Sequence, residues 1–124
     1  MSTTTAMPAH SHASTEFSRE LWISLASLLR SHVAMHSIAR PGVSLRIASD
    51  AYSATLLGPR GKLIVLSPDA SGPGSTEFRP EAGELSDEYS AFSFTDEGLV
   101  YVENSGTTLD MESAVEHWLR KVQP

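Results

Sequence analysis

Apolar residues recur at steps of three and four from Phe17 to Val33, and from Val43 onward the step falls to two. At about 100° per residue, the first spacing gathers Phe17, Leu21, Trp22, Leu25, Leu28, Leu29 and Val33 onto one arc of a helix. Arg19, Glu20, Ser24, Ser27, Arg30 and Ser31 fall outside that arc. Ser14 or Thr15 caps a helix beginning at Glu16, with Glu16 and Glu20 near its positive end. The helix must stop near Ala39, because Pro41 disfavours helical geometry before it and Gly42 follows.

The alternating segments read as strands. VSLRIAS (43–49) places Val43, Leu45 and Ile47 on one face, and YSATLL (52–57) does the same for Tyr52, Ala54 and Leu56. Gly58-Pro59-Arg60-Gly61 is a tight turn, with proline presetting φ at its second position. KLIVLS (62–67) is nearly all apolar, which predicts a central strand covered on both faces. Residues 68–88 break the rhythm with Pro, Gly, Ser and acidic residues and read as a long loop, in which EFRP is a candidate short strand. YSAFSF (89–94) and LVYVEN (99–104) form a hairpin around Asp96-Glu97-Gly98. Thr108 or Asp110 then caps a second helix, whose stripe is Met111, Val115, Trp118, Leu119 and Val122.

Hairpin-length connections imply antiparallel pairing. The expected fold is therefore α+β: a two-layer sandwich, an antiparallel five-stranded sheet with the N-terminal and C-terminal helices on one face. Residues 1–13 carry no apolar periodicity and read as a disordered tail, leaving 14–124 as a single domain. Two helices cannot cover apolar strand residues of both parities. Leu57, Ile64, Leu66, Phe92, Phe94, Val100 and Val102 are thus the candidate surface for a partner, with a homodimer expected first.

Charge sharpens this picture. The 124 residues carry a net charge of −6, but residues 1–66 hold six Lys/Arg against three Asp/Glu, and residues 67–124 hold three against twelve. An acidic chain without a basic cluster is a poor nucleic-acid binder. The asymmetry is compatible with two solvated faces or with a contact between opposite charges of two copies. No run of about 18 apolar residues exists, so no membrane span is expected. The absence of cysteine excludes disulfides and thiolate chemistry and fits a cytoplasmic protein.

Catalytic and cofactor signatures fail one by one. Gly61-Lys62 is followed by Leu63, and Leu56 occupies the place of the first phosphate-loop glycine. Gly72-Pro73-Gly74 lacks the third glycine of a dinucleotide loop. No cofactor and no catalytic residue is assigned. His32 and His36, four apart on the first helix, are the candidate metal ligands. On the helical wheel they lie close in angle to Leu25 and Leu29, so they also read as an extension of the buried stripe into the last turn. Trp22 and Trp118 each fall on an apolar stripe and read as core anchors.

The segment FSFTDEGLVYVENSGTTLDMESAVEHWL resembles in rhythm the C-terminal part of class I type III secretion chaperones. The order of elements along most of the chain is similar to theirs, although no specific motif is shared. The resemblance implies a small, acidic, dimeric, non-catalytic module with a middle helix. That helix would fall within 68–88, which is rich in Pro and Gly. Frataxin-like domains are similar only in placing a helix at each end of an antiparallel sheet; the acidic first helix of that family is absent here. The expectation is a non-catalytic binding or adaptor module acting through a sheet face. The alternative is a small-ligand or metal-binding protein, or an enzyme, with a pocket between sheet and first helix around His32, His36 and Tyr52.

Overall fold

The Ser14 hydroxyl accepts a hydrogen bond from the Phe17 amide at 3.2 Å and starts the first helix, α1, Thr15–Ala39. The structure, a computed structural model, describes residues 13–42, 45–69, 72–80, 88–103 and 105–123. The tail expected over 1–13 lies outside these except for Ala13, which is buried and bonds the Phe94 carbonyl through its amide. Along α1 the predicted stripe is the core face: Leu21, Trp22, Leu25, Leu29 and Val33 are buried, and Phe17 and Leu28 pack against them.

Seven strands follow: β1 Arg46–Ser49, β2 Ala54–Leu57, β3 Leu63–Ser67, β4 Gly74–Arg79, β5 Glu88–Phe94, β6 Val100–Val102 and β7 Thr107–Leu109. The second helix, α2, Met111–Val122, closes the order. Each strand pairs antiparallel with the next, so the sheet is a meander in chain order. The fold is α+β with an antiparallel sheet as expected, but the sheet has seven strands, not five. β4 lies in the stretch read as a loop. Its inward positions, Gly74, Thr76 and Phe78, offer one large apolar side chain among three, too faint an alternation to register. β7 lies where the reading placed only a helix cap, and its three residues are too short to set a period. β4 also occupies part of the segment where the chaperone resemblance requires a middle helix, and the described order departs from that pattern.

Register decides the faces. Ala54 pairs with Leu66 and Leu56 with Ile64; further along, Phe92 pairs with Val102 and Phe94 with Val100. Residues directly opposite share a face, and all eight of these are buried under the helices. Thr55 opposite Val65 and Leu57 opposite Leu63 belong to the other face and remain partly exposed. β3 is therefore covered on one face only among the described residues, although its four consecutive apolar side chains suggested two.

Both helices contribute to one core with the inner sheet face. The Phe92 ring meets the Phe94 and Trp118 rings edge-on, at centroid distances of 6.0 and 5.5 Å. Such pairs add about 0.5–1.5 kcal/mol beyond area burial. Asp110 caps α2 by accepting the Ser113 amide at 2.7 Å, and Ser113's amide and hydroxyl hold the carboxyl below its ordinary pKa of 3.8. The β2–β3 turn runs against the end of α2: a Cβ built at Gly58 would lie 1.9 Å from the Val122 carbonyl oxygen. No described helix is long and apolar enough to cross a membrane.

Candidate functional site

The sheet leaves a wide outer face. Thr55, Leu57, Leu63, Val65, Ala91 and Tyr101 lie on it by register, all partly exposed. No described helix packs over them. At its centre Glu77 and Arg79 form an ion pair at 3.4 Å, both side chains about a third exposed (31% and 37%). An exposed pair of this kind contributes little stability; with Ser75 it makes the outer face of β4 polar, between the apolar Leu57, Leu63 and Val65 on one side and Ala91 and Tyr101 on the other. The two sheet edges are short, four residues in β1 and three in β7. Short edges discourage strand-to-strand addition, so the face offers more contact area than the edges do.

Of the seven residues expected at a partner surface, the structure leaves only Leu57 on this outer face. Ile64, Leu66, Phe92, Phe94, Val100 and Val102 are core residues, between 0% and 6% exposed. The reason is parity. Leu63, Ile64, Val65 and Leu66 are all apolar, so composition cannot say which pair points inward; the register with Ala54 and Leu56 does. Leu63, Val65 and Tyr101 were missed, and counting two residues across each hairpin from Ala54 would have found the first two.

The histidine pair is placed differently from either expectation. His32 and His36 are partly exposed and line a groove of about 300 Å³ with Glu116, Leu119, Arg120 and Gln123 of the C-terminal segment. They face α2 rather than the sheet. Tyr52 is not with them: it is 81% exposed on the β1–β2 loop. That loop is turned outward because the Asp50 carboxylate accepts the amides of Tyr52 and Ser53, at 2.7 and 2.9 Å. No cluster of three potential ligands suited to a metal ion occurs among the described residues.

Tyr52 instead borders a larger cleft, about 500 Å³, between the first half of α1 and the loops that follow β1 and β3. Trp22 and Phe94 form its floor, and Ile23 and Tyr52 stand on its lips. The Trp22 ring is fixed by a hydrogen bond from its Nε1 to the Asp50 carbonyl at 3.3 Å. Trp22 is thus both the core anchor that its stripe predicted and a wall of this cleft. Its second role was not visible in sequence, because the loops that complete the cleft come from residues 51–52 and 68–69.

No protein-family model matches the chain, and no curated protein or solved structure is significantly similar to it.

Proposed function

We propose that the protein is a non-catalytic binding module whose outer sheet face docks a partner, in the first instance a second copy of the chain. The observation that carries this reading is a face over which no described helix packs, bearing Leu57, Leu63, Val65, Ala91 and Tyr101, all partly exposed, on a sheet whose other face already holds the core. Partly exposed apolar side chains gathered on one face in this way suit an interaction site, and two-fold self-contacts are the commonest closed assemblies. Freedom from cysteine suits work in a reducing compartment such as the cytoplasm.

Light scattering across a micromolar dilution series tests this. The expected mass is twice the 13.4 kDa of the chain. Val65→Lys places a charge within the face and yields a monomer whose circular dichroism spectrum matches the wild type, with a melting temperature lowered by the lost association. A wild-type monomer throughout, or a dimer indifferent to Val65→Lys, would sink the proposal.

A further inference from the structure

We infer a second binding site, separate from the sheet face, in the cleft between α1 and the β1–β2 loop. It takes a small amphipathic carboxylate: an apolar body of acyl or aromatic character carrying one anionic end. The volume, about 500 Å³, lies within the range of small-molecule sites. The body is matched by the cleft's walls, in which Trp22, Ile23, Tyr52, Pro68 and Phe94 outnumber the polar groups. Two of the four strongly exposed large hydrophobic residues among those described, Ile23 at 66% and Tyr52 at 81%, stand on its lips. Exposed apolar side chains are unremarkable when scattered, but two flanking one concavity are not scattered.

The anionic end is specified by α1. Arg19 lines the cleft and makes no ion pair or hydrogen bond among the described residues. Ser18, one residue before it on α1, lines the same cleft. A hydroxyl and a guanidinium side by side on one wall suit a carboxylate, which accepts from both. Asp69 lines the cleft away from α1 and already has an interaction of its own. It disfavours a second orientation in which the anion would point away from Arg19. The walls are set before binding, since Trp22 is held by the Asp50 carbonyl and the Tyr52 loop by the Asp50 carboxylate. Little ordering cost remains for the ligand to meet.

A carboxylate beside an apolar group occurs in free acids and at the C-terminal end of a peptide, and the test separates them. The Trp22 indole N–H resonance is followed by NMR in the full chain during titration with octanoate, with acetyl-Gly-Phe bearing a free carboxylate, and with octanamide. At least one carboxylate shifts the resonance saturably, and octanoate or acetyl-Gly-Phe, whichever binds, identifies the source. Octanamide binds at least about tenfold more weakly, a difference of roughly 1.4 kcal/mol. Arg19→Gln, an exposed position, removes that preference while leaving the fold intact by circular dichroism. No saturable shift with either carboxylate, equal binding of octanamide, or a preference that survives Arg19→Gln would overturn the inference.

Discussion

Gly58→Ala isolates one contact on which the two-layer packing depends. Gly58 has φ −105° and ψ −171°, a conformation that alanine adopts freely. Where space allows, replacing glycine by alanine stabilises a protein by about 0.4–1 kcal/mol through the unfolded chain. Here the added Cβ would lie 1.9 Å from the Val122 carbonyl oxygen and 2.9 Å from its carbonyl carbon, against a practical limit near 3.0 Å. These are backbone atoms, so no rotamer change relieves the overlap of about 1 Å. The end of α2 must move away from the turn, taking with it Val122, which is fully buried, and the bond from Lys62 Nζ to the Gln123 carbonyl. Overpacking of this kind costs about 1–3 kcal/mol. The expected net loss in urea unfolding is about 2 kcal/mol, or roughly 10 °C in Tm for a domain of this size. Gly72→Ala provides the control, because a Cβ there meets nothing within 4 Å. If Gly58→Ala matched the control, or gained stability, the turn would not be packed against α2 and the reasoning would fail.

Other expectations are simpler. Leu25→Ala, at a position 0% exposed in the centre of the core, costs about 2–5 kcal/mol; a loss under about 0.5 kcal/mol would mean that the stripe on α1 is not the core face. The Asp110 carboxyl titrates below 3.8 by NMR, because Ser113 donates to its ionised form. A pKa depressed by folding contributes stability above the unfolded value and loses it as pH falls through the folded one. The stability difference between wild type and Asp110→Asn therefore shrinks below pH 3.8, and a gap that stayed constant into stronger acid would contradict the cap. With residues 1–12 removed, and His10 and His12 with them, calorimetry shows no submicromolar zinc site; stoichiometric binding abolished by His36→Ala would reverse the reading of that pair.

The sequence carried the helices well and the sheet less well, for physical reasons. α1 has a long, regular stripe, a serine cap and a proline stop, three signals that agree. α2 has its stripe and Asp110. Strands carry a weaker signal, and β4 nearly none, because Gly74 is small for a reason that only the fold reveals: a Cβ there would lie 2.6 Å from the Ser67 carbonyl oxygen and 3.0 Å from the Phe92 ring. The members of the outer face are not legible in sequence, since β3 is apolar at both parities and only pairing assigns them. Tyr52 went to the wrong neighbourhood because an alternation read through residues 52–57 ignores the turn that Asp50 imposes. The cleft draws its lining from four separate stretches of chain, and no local pattern announces such a site.

The central claim is that this sheet docks through its outer face, and cross-saturation NMR addresses it directly. Deuterated, ¹⁵N-labelled chain is mixed with unlabelled chain at concentrations where light scattering gives the dimer mass, and the aliphatic protons of the unlabelled copy are irradiated. The account predicts intensity loss at the amides of β2–β6, centred on Val65 and Ala91, with α1 and α2 unaffected. Loss confined to the helices, or none on the sheet, would contradict it.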